Sequence, residues 1–232
     1  MKRNISIKGV LIPNSYKRYY DFFGEDSCCP ADVQKVLDEA QPGDEIEVHI
    51  NSPGGVIDVG SEIYTLLRSR RDDVVIYITG EACSAASVVA MAATCKMSPT
   101  ALMMVHCVST NQQGNHGDME RAAETLRTAD KALSTAYTAK SGMTEKEALE
   151  MMERETWLTA EKALELGLID EIMFQEPDVD GTMVAGPLFV LPSAEQMERV
   201  NLLMQEKEET VDKAAATAAF NLLKLKFKGG LQ

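Results

Sequence analysis

The chain has 232 residues, 45% hydrophobic and 25% charged, which suits one α/β domain with an extension and a sizeable core. A formal net charge of −13 disfavours nucleic acid as a partner, because phosphates would be repelled. No apolar run approaches the roughly 20 residues that span a bilayer, and Met1-Lys2-Arg3-Asn4-Ile5 leads into alternating residues without a signal-peptide core, so no membrane partner and a cytoplasmic location are expected.

In chain order, Lys2 to Ile12 alternates as a strand, with Ile5 and Ile7 on one face. Tyr16 to Gly24, rich in tyrosine and phenylalanine, reads as a partly buried connection. Cys28-Cys29 has no second Cys/His pair nearby and reads as a pair of loop residues rather than a metal site. Five cysteines without framework spacing fit a reducing compartment.

Pro30 opens a helix with Val33, Val36, Leu37 and Ala40 on one face. Glu45 to Ile50 alternates as a strand, and Asn51-Ser52-Pro53-Gly54-Gly55 is expected to break it. A helix over Val56–Arg70, a strand over Val74–Thr79 and a small-residue helix from Ser84 to Ala93 follow. Two short β segments are expected near Thr94–Met97 and Leu102–Cys107. Beyond the polar loop Ser109–Gly117, Asp118 to Lys140 reads as a long helix closed by Gly142. Thr144 with Glu147 forms a capping box for the next helix. Trp157-Leu158-Thr159 enters a short helix ended by Gly167, and Leu168 to Ile172 is strand-like. Strands alternating with helices indicate an α/β fold.

A serine is a poor nucleophile at neutral pH unless a base takes its proton and donors receive the developing oxyanion. Ser84, where a strand enters a helix, can present its hydroxyl beside free helix N–H groups, although such a serine is by itself usually a cap or a packing residue. Of three histidines, His49 shares a polar strand face with Glu45 and Glu47, and His116 sits in a polar loop. His106 ends an apolar run at a strand tip, where a cleft can receive it. Gly54-Gly55 permits close backbone approach, as an oxyanion hole or an ordinary tight turn requires. Neither GxGxxG nor a P-loop lysine is present, so no nucleotide site is expected. For the acid that orients a histidine, Glu153, Glu155 and Asp170 are all available near the end of the domain.

Four segments, in order, resemble the Clp protease proteolytic subunit family. They are Ile50-Asn51-Ser52-Pro53-Gly54-Gly55-Val56-Ile57, Gly80-Glu81-Ala82-Cys83-Ser84-Ala85-Ala86, Met104-Val105-His106, and Glu153 to Ala160 followed by Gly167-Leu168-Ile169-Asp170. The resemblance covers about Ile46 to Ile172. It implies Ser84 as nucleophile, His106 as general base and the N–H groups of Gly55 and Ala85 as oxyanion hole, with no cofactor and no metal. The family has aspartate where this chain has Glu155. One methylene longer, Glu155 could still reach the imidazole; Glu153, or no residue, are the alternatives.

The fold implied is ClpP/crotonase-like, with repeated ββα units and a long handle helix at Asp118–Lys140. Residues 1–174 would form the peptidase domain, 175–192 a linker and 193–232 a helical extension. The resemblance also implies a homo-oligomeric ring acting on protein and peptide substrates. Ser98 to Met104 and Glu155 to Ala160 look most like phage Clp-related head maturation (prohead) proteases, whose substrates are scaffold and capsid proteins in the host cytoplasm or assembling procapsid. Two alternatives stand beside this. One is a general Clp-type peptidase with an ATPase unfoldase, against which the short stretch before the first strand argues. The other is a ring-forming assembly protein of weak or absent activity, motivated by Glu155 and the tail. A crotonase-like acyl-CoA enzyme is disfavoured by Ser84 with His106.

Overall fold

Alternation builds the first strand: along β1 (Lys2–Leu11), Ile5, Ile7 and Leu11 are buried while Lys2, Asn4 and Ser6 face outward. The structure, a computed structural model, describes residues 1–175. The expected linker and helical extension lie beyond the described residues.

After a 3₁₀ turn at Asn14–Tyr16 comes α1 (Lys17–Phe23), closed by Gly24 in the left-handed conformation. The expectation of a partly buried connection here is corrected. Phe22 and Phe23 are 83% and 72% exposed and pack edge-to-face on each other. Aromatic composition suggested burial, but a seven-residue helix at the sheet edge has no neighbouring layer to bury it.

β2 (Ser27–Cys28) pairs with the end of β1, and Cys29 caps α2 (Pro30–Glu39), its thiol and N–H both directed at Asp32. Both cysteines are buried, and burial pushes the Cys28 thiol up to about 12, so it stays protonated. They are a strand end and a helix cap rather than loop residues.

β3 runs Glu45–Gly55, so the strand does not break at Asn51 as expected. Its register shifts between Ile50 and Ser52, and the buried Ser52 hydroxyl donates to Gly9 O at 2.6 Å while accepting from Gly54 N–H at 3.1 Å. This side chain completes the ladder that Pro53, lacking an N–H, cannot. α3 (Ile57–Arg68) buries Val59, Gly60, Ile63 and Leu67. β4 (Val74–Cys83) is longer than expected and feeds α4 (Ala85–Ala90), every residue of which is buried.

β5 (Thr94–Met97) and β6 (Leu102–Val105) both pair with β4 in parallel, at its two ends. Then come α5 (His116–Ser141), α6 (Glu145–Glu153), β7 (Thr156–Leu158), α7 (Ala160–Glu165) and β8 (Glu171–Ile172). The main sheet runs β2-β1-β3-β4-β5-β8, all parallel, and β6 carries β7 antiparallel at one end. One face of the sheet packs Ile46, Val48, Ile50, Ile76 and Ile78 into the core. The other face is polar, with His49 stacked on Tyr77 and the ion pairs Lys2–Glu47 and Lys96–Glu171.

Candidate active site

Three chain segments meet at the end of the sheet where β3, β4 and β6 stop. β4 delivers Ser84, which takes φ 55° and ψ −127°, a conformation that L side chains rarely adopt. The strain is held by the backbone on both sides. Ser84 N–H donates to Met104 O at 2.8 Å, and Ser84 O accepts from Ser87 N–H at 2.9 Å and Ser87 Oγ at 2.6 Å. The turn lifts the hydroxyl out of the sheet at the mouth of α4, whose first N–H groups have no partner within the helix.

The end of β3 lies against this turn. At Gly54, φ is +95°, and a Cβ would stand 2.6 Å from Cys83 O and 2.7 Å from Ser84 Cβ. Glycine there is a steric requirement of the serine's placement. Gly55 is equally confined, since a Cβ would meet Leu11 O at 2.3 Å.

β6 runs beside β4 and ends at Val105, so His106 emerges level with Ser84. His106 Nε2 and Ser84 Oγ are 2.7 Å apart, a hydrogen bond between two half-buried side chains. A cavity of about 70 Å³ is lined by Gly55, Ser84, Ala85 and His106, with Val88, Leu133 and Met152 adding apolar surface. It adjoins a groove of about 580 Å³ between the Gly55–Ile57 segment, Val108–Thr110 and the N-terminal half of α5. The arrangement can deliver an activated oxygen, through a neighbouring imidazole, to a carbonyl laid along that groove.

The acids are placed differently. The β6–β7 ladder pairs Met103 with Leu158, Met104 with Trp157 and Val105 with Thr156. Continued by one residue, this register sets Glu155 opposite His106. At that point the chain turns through φ 47°, and Glu155 Oε1 accepts a long 3.4 Å bond from Trp157 Nε1. No bond joins Glu155 to His106 among the described residues. Glu153, exposed at the end of α6, lies near the Cys107 thiol, whose pKa is pushed up to about 11 by burial first and then by Asp130 and Glu153. Asp170 accepts from Cys95 N–H at 2.7 Å and pairs with Lys140, which ties β5 to α5 and removes it from the site.

The other histidines stand apart: His49 on the polar sheet face, His116 exposed at the start of α5. Two residues at the site did not stand out in the sequence. Tyr137, which lines the cavity, and Asp130, which accepts from Val108 N–H, belong to no motif along α5. The available signal was a carboxylate between Ala129 and Leu133 on an otherwise small and apolar helix face.

The sequence matches the Clp protease family over residues 33–176, more than half of the chain. The chain belongs to the Clp protease family. It is 36% identical over 140 residues to the ATP-dependent Clp protease proteolytic subunit of Porphyromonas gingivalis, covering 59% of this chain and 63% of the relative. Two subunits of the same description from Bacteroides fragilis strains are each 35% identical over 143 residues, covering 60% of this chain and 69% or 65% of theirs. The chain thus spans about two thirds of the length of these relatives, 63% for the first. Every segment of the candidate site, from Gly55 to Glu155, lies within the family match. Among the described residues, no helix is long and apolar enough to cross a membrane.

Proposed function

We propose that this chain is a serine endopeptidase in which Ser84 is the nucleophile, His106 the general base, and the N–H groups of Gly55 and Ala85 the oxyanion hole. The 2.7 Å bond between His106 Nε2 and Ser84 Oγ carries the reading. Ser84 Oγ–H gives its proton to Nε2 as the oxygen adds to the scissile carbonyl. The new oxyanion is received by the two backbone N–H groups, and the imidazolium returns the proton to the departing amine. Water, deprotonated by the same imidazole, then releases the acyl group. Glu155 is the acid of this reading, supported by its place next to Thr156, which pairs with Val105 just before His106; it would orient the ring once its carboxylate leaves Trp157.

A fluorophosphonate probe tests the nucleophile. The wild-type protein should take one label per chain and Ser84→Ala none; a mutant that still labels overturns the assignment.

For substrates we favour scaffold and capsid proteins, cut by a homo-oligomeric ring during procapsid assembly. The support is the likeness of Ser98–Met104 and Glu155–Ala160 to head maturation proteases. The second reading is a general peptidase working with an ATPase unfoldase, favoured by the description of the relatives as subunits of ATP-dependent proteases. Cleavage of purified capsid and scaffold precursors without any ATPase supports the first. Degradation of a folded substrate only with an ATPase partner supports the second.

A further inference from the structure

Helix α5 grips both halves of the Ser84–His106 pair from a single face. Asp130 and Tyr137, two turns apart, are 9% and 1% exposed. On the nucleophile side, Tyr137 OH lies 2.8 Å from Ser87 Oγ. Ser87 directs its own proton to Ser84 O, so the tyrosine is the donor of that bond. On the base side, Asp130 Oδ1 accepts from Val108 N–H at 2.6 Å, two residues beyond His106. The sheet ladder has ended by then, at Val105, and backbone amides past that point need other acceptors. Met152 O takes the N–H of Cys107 at 3.2 Å, and Asp130 takes the next one.

We propose that Asp130 is a positioning residue for His106: by accepting the Val108 N–H it sets how the chain leaves β6 and so where the imidazole stands against Ser84. The proposal rests on the serine-peptidase reading. A helix face carrying two such grips fixes nucleophile and base to one rigid body, which holds their separation to the fraction of an ångström that proton transfer requires.

The test uses the full chain as wild type, Asp130→Ala, Asp130→Asn and Asp130→Leu, read by amide hydrogen exchange over Val105–Ser109 and by the concentration dependence of fluorophosphonate labelling. Asp130→Ala should speed exchange in that segment and lower the maximal labelling rate by about 10²-fold with little change in half-saturating probe. Asp130→Asn keeps an acceptor and should restore both readouts. Asp130→Leu fills the same space without an acceptor and should behave as alanine does, which keeps the test open if Asp130→Ala does not fold. Wild-type labelling in Asp130→Ala or Asp130→Leu overturns the proposal. So does an Asp130→Asn protein as slow as alanine, which would make the charge rather than the acceptor matter. A wild-type protein that takes no label, while exchange still responds to Asp130→Ala, overturns the peptidase reading and reduces Asp130 to a structural clamp.

Discussion

Gly54 and Ser84 compete for the same space: a Cβ on the glycine would stand 2.7 Å from the Cβ of the serine. The end of one strand therefore acts as the template against which the strained turn of the next is pressed. Gly54→Ala should displace Ser84 and lower fluorophosphonate labelling by about 10²-fold or more. The left-handed φ should also cost about 1–2 kcal/mol of stability, measured by urea unfolding. Wild-type labelling in this variant would mean that the turn adapts freely.

Glu155 and Glu153 are separated by the same probe. Because Glu155 directly precedes Thr156, the last residue paired with the strand that delivers His106, Glu155→Gln should reduce the labelling rate by about 10²-fold, whereas Glu153→Gln should leave it nearly unchanged. The reverse ranking would hand the acid's role to Glu153, and two silent variants would leave a Ser84–His106 pair without an acid.

Tyr137 supplies a pH signature. Burial pushes its phenol from the ordinary value near 10 up to about 12. A raised folded-state value means that the unfolded chain loses its proton first. The stability is thus fully present below about pH 10 and is lost as pH rises toward 12. Tyr137→Phe should flatten this alkaline decline in thermal unfolding, and should slow labelling modestly through the loosened Ser87 contact.

The exposed aromatics of α1 and the core strands should differ sharply in their energetic weight. Ile76→Ala, at a side chain with 0% exposure, should cost about 2–5 kcal/mol. Phe22→Ala, at 83% exposure, should change stability by no more than about 0.5 kcal/mol. A large loss at Phe22 would show that this surface is covered in solution.

The elements that were legible in the chain are those whose pattern is local. Alternation in Glu45–Ile50 and Val74–Thr79, the capping box at Thr144 and Glu147, and the glycine after the long helix all correspond to observed strands, caps and ends. Tyr16 to Gly24 misled because aromatic content speaks of burial only where a neighbouring layer exists. Asn51 to Gly55 misled because proline and glycines ordinarily end a strand, whereas Ser52 and a register shift carry this one onward. Asp130 shows in the sequence only as a carboxylate on a small and apolar helix face; its partner is a backbone amide from another segment, which no spacing along α5 encodes.

Ser84, His106 and the glycine pair at 54 and 55 were nameable from the sequence alone, since their residue types and flanking patterns are local and stand in family order. Their meeting is tertiary. The parallel pairing of β6 with β4 brings His106 within 2.7 Å of Ser84, 22 residues away, and the antiparallel return of β7, whose ladder ends with Val105 beside Thr156, brings the segment carrying Glu155 back along that strand. Strand register and helix packing are properties of the assembled sheet. Chain order therefore named the chemical groups, while their distances were decided only when the strands closed around them.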